Sequence, residues 1–138
     1  MKIKKIIPVL ASAILLFTGC SSKNTKTENN SYRQIDMEEA EKIMKEEKEY
    51  IILDVRTPAE FAEKHIPGAI NVPNETIGSE QIPELPDKDQ LILVYCRSGN
   101  RSKQASEKLA VLGYTNIVEF GGINDWPGET ENNEGGAL

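Results

Sequence analysis

Leu91-Ile92-Leu93-Val94-Tyr95-Cys96-Arg97-Ser98-Gly99-Asn100-Arg101-Ser102 changes character at its sixth residue. The apolar run Leu91 to Tyr95 is too short for a helix and has no polar alternation, which suits a strand covered on both faces. A polar, glycine-containing turn follows at once, and then a helix expected from about Arg101 to Leu112, closed by Gly113. Cys96 therefore falls at the carboxyl end of the most buried strand, where open α/β sheets usually bind ligands.

The surrounding segments repeat the alternation. Upstream, Asp36 and Glu39 form a capping-box pattern ahead of a helix expected over Met37 to Glu49, with Ile35 and Ala40 at staple positions. Tyr50-Ile51-Ile52-Leu53 reads as a strand, and Thr57-Pro58 with Glu60 opens a short helix. A further strand is expected at Ala69 to Val72, stopped by Pro73, then only irregular helix and loop from Asn74 to Asp89. Downstream of Gly113, Asn116-Ile117-Val118-Glu119 supplies the last strand. Strands separated by helical segments give an α/β fold, a mainly parallel central sheet with helices on both faces.

At the N-terminus, Lys2, Lys4 and Lys5 precede the apolar stretch Ile6 to Phe17, which is shorter than the roughly 20 residues a membrane-spanning helix needs. Residues 1–19 read as a signal peptide. Leu16-Phe17-Thr18-Gly19-Cys20 resembles a bacterial lipobox, with Phe17 where leucine is usual; the resemblance implies lipidation of Cys20 and anchorage at the outer face of the cell membrane. An ordinary cleaved signal is the alternative, and both export the domain. Residues 20–31 then form a flexible linker, with a reach of about 18 Å by flexible-chain scaling. The folded domain is expected over 32–129, and 130–138 as a disordered tail.

Composition sets outer limits. The chain has 138 residues, 38% hydrophobic, with 16 Lys plus Arg against 22 Asp plus Glu and a net charge of -6. That is room for one domain, and its acidity argues against nucleic acid as a partner. Removing residues 1–19 would leave -9. Two cysteines and the single His65 are too few for a zinc site made of Cys and His alone or for a multi-bridge disulfide scaffold.

Chemistry concentrates in the Cys96 loop. Backbone N–H groups there can converge on a sulfur as on an anion, Gly99 permits the tight path, and a helix N-terminus with two guanidinium groups favours a thiolate. A buried structural cysteine is the plainer reading, but Arg97, Gly99 and Arg101 surround this one with a polar turn. The string Cys96-Arg97-Ser98-Gly99-Asn100-Arg101-Ser102 resembles the active-site loop of the rhodanese family of single-domain thiosulfate sulfurtransferases. Four other segments agree in order across about 98 residues: Leu53-Asp54-Val55-Arg56 with Glu60-Phe61, His65-Ile66-Pro67-Gly68-Ala69 with Asn71 and Pro73, Gly113-Tyr114, and Gly121-Gly122 leading to Trp126. Lys64 departs from the glycine common before His-Ile-Pro-Gly.

The resemblance implies a rhodanese-like fold and a sulfurtransferase. Cys96 would take a sulfane sulfur from thiosulfate or a similar small anion as a persulfide, and cyanide or a thiol would then accept it. Arg97 and Arg101 would hold the donor, and the N–H groups from Ser98 through Gly99, Asn100 and Arg101 to Ser102 would stabilise the terminal sulfur. It implies no metal and no organic cofactor. Phosphatases of similar logic place five residues between cysteine and arginine. Here four intervene, and the next position is Ser102, which cannot supply a bidentate cation.

Asp54 and Arg56 read as a structural ion pair. His65, followed by Ile66-Pro67-Gly68, reads as securing a turn in preference to acting as a base. A non-turnover sulfur carrier or a regulatory binding module of the same fold is the alternative function. Retention of Cys96 with both arginines favours sulfur chemistry, and repeated turnover with thiosulfate and cyanide separates enzyme from carrier.

Overall fold

The computed structural model describes residues 31–134. The expected signal peptide, the Cys20 lipidation site and nearly all of the linker lie outside the described residues. Eight elements follow in order: β1 Arg33–Gln34, α1 Met37–Glu46, β2 Ile51–Asp54, α2 Pro58–Glu63, β3 Ile70–Asn71, β4 Ile92–Cys96, α3 Asn100–Val111 and β5 Ile117–Gly122. Short 3-10 turns occupy Asn74–Thr76 and Ile123–Asp125. The five strands form one parallel sheet in the order β1-β5-β4-β2-β3.

Side-chain alternation divides the core in two. Ile92, Val94 and Cys96 of β4 pack with Ala105 and Leu109 of α3, whereas Leu93 and Tyr95 pack with Ala40, Ile43 and Met44 of α1. Covering on both faces explains why all five β4 residues are buried and why the sequence there shows no polar alternation. Full burial of a Leu or Ile contributes about 1.5–3 kcal/mol, so β4 anchors the domain. Ile77, Ile82 and Leu85, from the segment read as irregular, complete the α3 side.

The structure revises three expectations. Helix α1 ends at Glu46, three residues early: Glu46, Glu47 and Glu49 place negative charge at the negative end of the helix dipole, and Tyr50 Oη donates to the Met44 carbonyl at 3.1 Å. Its start is as expected, with the Asp36 carboxylate accepting from Glu39 N at 2.8 Å. Strand β1, only two residues long, gave no signal in the sequence.

The third revision concerns the tail, expected to be disordered from Thr130. His65 N donates to the Glu131 carbonyl at 2.8 Å and Glu131 N returns a bond at 2.9 Å. Asn133 N donates to the Ala62 carbonyl at 3.1 Å. The folded contacts thus continue past Glu129. Polar composition hid them because backbone pairing, and not apolar burial, fixes this segment.

Candidate active site

Strand β4 delivers Cys96 to the N-terminus of α3. Gly99 is the helix N-cap with φ +108°, a left-handed conformation that strains other residues, and its N–H donates to Cys96 Sγ at 3.0 Å. Cys96 is only 1% exposed, whereas Arg97, Ser98 and Asn100 of the loop are exposed. Of the expected cradle, the Gly99 N–H is the one aimed at the sulfur itself.

The end of β5 supports this loop from beneath. Cys96 pairs with Gly122 after an irregularity in which β5 carries one more residue than β4. A Cβ on Gly122 would collide with the backbone of Arg97 and Ser98. Gly122→Ala should therefore push the loop off its seat, lowering stability by about 1–3 kcal/mol and withdrawing the Gly99 N–H from the sulfur. Thermal denaturation and the rate of Cys96 alkylation measure the two effects; an unchanged melting temperature and rate would show that the close approach is not needed.

Ser102, expected among the donor-binding residues, lies under the sulfur instead. It is fully buried, with Oγ 3.4 Å from Cys96 Sγ and 2.6 Å from Glu119 Oε1. Glu119 is itself 3% exposed, and its Oε1 also accepts from Gly121 N at 2.9 Å. Strand parity explains the meeting: Ile117 faces the α3 side and Val118 the α1 side, so Glu119 returns to the α3 side. The sequence reading missed Glu119 as a site residue. Its signal was an acidic side chain inside the apolar run Ile117-Val118-Glu119-Phe120.

Arg101 reaches the site mouth already engaged. Its Nη1 and Nη2 donate to Glu60 Oε1 and Oε2 of α2 at 2.7 and 3.0 Å. These bonds hold the Glu60 carboxyl at about 2 and raise the Arg101 guanidinium above its ordinary value. Because the acid is depressed, the stabilisation it gives is present above the ordinary 4.5 and is lost as pH falls toward about 2. Glu60 entered the sequence reading only as a helix-start and resemblance residue.

Asp54 and Arg56 form the structural network that the sequence suggests. Arg56 Nη2 meets Asp54 Oδ2 at 2.6 Å and also donates to the Lys64 carbonyl at 2.6 Å, with both side chains buried. Burial pulls the guanidinium down, but the Asp54 hydrogen bonds and charge outweigh it and raise the value. Burial, reinforced by Asp54, pushes the neighbouring Tyr95 hydroxyl far up, and Tyr95 Oη accepts from Ile66 N at 3.1 Å.

His65 is occupied in its turn. Its Nδ1 donates to the Phe61 carbonyl at 2.7 Å, its ring stacks on Phe61 at 3.9 Å, and its Nε2 lies 3.2 Å from Glu131 Oε1. Among the described residues no cluster of three or more His, Cys, Asp or Glu is arranged to hold a metal ion.

A buried sulfur with a backbone N–H donor at a helix N-terminus, beneath exposed cationic and polar residues, is equipped to act as a nucleophile on small anions. Residues 36–129 match the model of the rhodanese-like domain. The thiosulfate sulfurtransferase PspE of Escherichia coli is 38% identical over 73 residues, covering 53% of this chain and 70% of that protein. A sulfurtransferase of Allochromatium vinosum is 37% identical over 94 residues, covering 67% and 86%. Among solved structures, a rhodanese with anions from E. coli superposes with a TM-score of 0.55 at 36% identity, covering 60% of this chain and 98% of that one.

Proposed function

The chain belongs to the rhodanese-like family, and from that premise we propose that it moves a sulfane sulfur from thiosulfate or a similar donor to cyanide or a thiol through a Cys96 persulfide. The observation that carries the reading is the 3.0 Å bond from Gly99 N–H to Cys96 Sγ, which favours negative charge on that sulfur. Cys96 attacks the outer sulfur of the donor, sulfite leaves with the bonding pair, and the acceptor then attacks the terminal sulfur of the persulfide. Arg97 and Arg101 attract the donor. Intact mass after incubation with thiosulfate tests this: a gain of one sulfur atom on Cys96 is expected, and its absence would sink the reading.

Arg101 must divide its charge between Glu60 and the donor. The pair is partly exposed, 27% and 28%, so it contributes at most about 1 kcal/mol. Glu60→Gln should accordingly lower KM for thiosulfate by up to about fivefold while leaving kcat within about twofold. A KM that rises would show that Glu60 orients Arg101 for the donor and does not compete with it.

The basic start, the short apolar stretch and Gly19-Cys20 support an exported lipoprotein. Cell fractionation checks this: the chain should move from the membrane to the soluble fraction on Cys20→Ala, and unchanged partition would refute the anchor.

A further inference from the structure

We propose that Glu119, acting through Ser102, biases Cys96 toward its sulfur-loaded state. The Ser102 hydroxyl has one proton and three possible acceptors: Glu119 Oε1 at 2.6 Å, the Gly99 carbonyl at 2.8 Å and the Gly121 carbonyl at 3.4 Å. The shortest contact, to a carboxylate, takes the proton. Ser102 then turns a lone pair toward Cys96 Sγ, 3.4 Å away. That arrangement accepts the proton of a thiol but opposes a thiolate. The carboxylate adds to the effect, since its Oε1 lies no more than 6.0 Å from the sulfur, the two contacts laid end to end.

Loading relocates the charge. Cys96–S⁻ attacks the outer sulfur of S–SO₃²⁻, a new S–S bond forms as the donor's S–S bond breaks, and the electron pair leaves on SO₃²⁻. No proton and no external oxidant or reductant enters. The product, Cys96–S–S⁻, has a neutral inner sulfur, with its charge about 2 Å further out, one S–S bond length. It extends away from Glu119, because fully buried Ser102 and the 3% exposed Glu119 fill the inner side. Moving a unit charge from about 6 to about 8 Å from a carboxylate, at an effective dielectric of about 20, favours the loaded state about threefold. Gly99 N–H and Arg101 draw charge to the sulfur from the loop side, and Arg101 is shared with Glu60. Glu119 is thus a positioning residue that penalises the empty thiolate more than the persulfide, whose charge lies further away.

The inference rests on the persulfide reading, and one set of measurements separates the two. Wild-type chain, Glu119→Gln and Glu119→Asp are equilibrated in a fixed ratio of thiosulfate to sulfite, at a pH alkaline enough that sulfur-free Cys96 is thiolate in all three, and the loaded fraction is read by intact mass. The rate of iodoacetamide alkylation at mildly acidic pH reports the thiolate. In Glu119→Gln the ratio of persulfide to sulfur-free enzyme should fall about threefold while alkylation accelerates by at least as much, and Glu119→Asp, which keeps the charge, should stay near wild type. A purely structural role would depress both readouts together, so an unchanged ratio or slower alkylation overturns the proposal. If Glu119→Gln does not fold, Ser102→Ala serves: removal of the opposing lone pair should accelerate alkylation, and slower alkylation refutes the bias. No mass gain in the wild type itself would instead sink the sulfurtransferase reading.

Discussion

Cys96→Ser should neither gain sulfur nor release sulfite from thiosulfate, a loss of at least about 10³-fold, as expected when a covalent nucleophile is removed. A serine hydroxyl in that place would still accept from Gly99 N–H and sit beside Ser102, so the fold has no reason to change. What disappears is a sulfur nucleophile that can join a second sulfur. Sulfite release by colorimetry, with intact mass alongside, makes the measurement, and the melting temperature should stay within a few degrees of wild type. Substantial sulfite release from the variant would remove Cys96 from the reaction.

The second large effect concerns stability. Asp54→Ala should cost about 3–5 kcal/mol, a large share of the 5–15 kcal/mol that holds a typical domain together. Asp54 is fully buried and Arg56 is 4% exposed, so truncation leaves a guanidinium with the Lys64 carbonyl, the Tyr95 ring at 5.8 Å and the charge of Glu60 in place of its buried carboxylate partner. The same network carries the edge of the sheet, since Asn71 Nδ2 bonds the carbonyls of Asp54 and Arg56 at 3.0 and 2.9 Å. Urea denaturation should show the midpoint falling steeply with the slope preserved. A change below 1 kcal/mol, the range of an exposed pair, would mean that Arg56 finds water or another acceptor on losing Asp54.

Much of the site was legible because its determinants are contiguous. The strand, the left-handed turn at Gly99 and the helix start follow one another within residues 92–100, and the Cys96 sulfur meets its N–H donor three residues on. The Asp36 cap is likewise settled three residues away, at Glu39. Arg101 was readable as a cation at the mouth, but not as a cation already held, because Glu60 lies 41 positions earlier. The tail was misread for the same reason: Glu131 reaches His65 across 66 positions, with no apolar residue to announce it.

Local chain chemistry, then, set the alternation of strands and helices, the parallel α/β class and the position of Cys96, since hydrophobic runs, caps and turn residues act within a few positions along the backbone. Tertiary assembly decided what reaches that site from distant parts of the chain. It brought Gly122 under the loop, turned Glu119 inward onto Ser102 and set Glu60 against Arg101. Such contacts form only when the sheet is assembled, so their energies depend on distances in space that spacing along the chain does not encode.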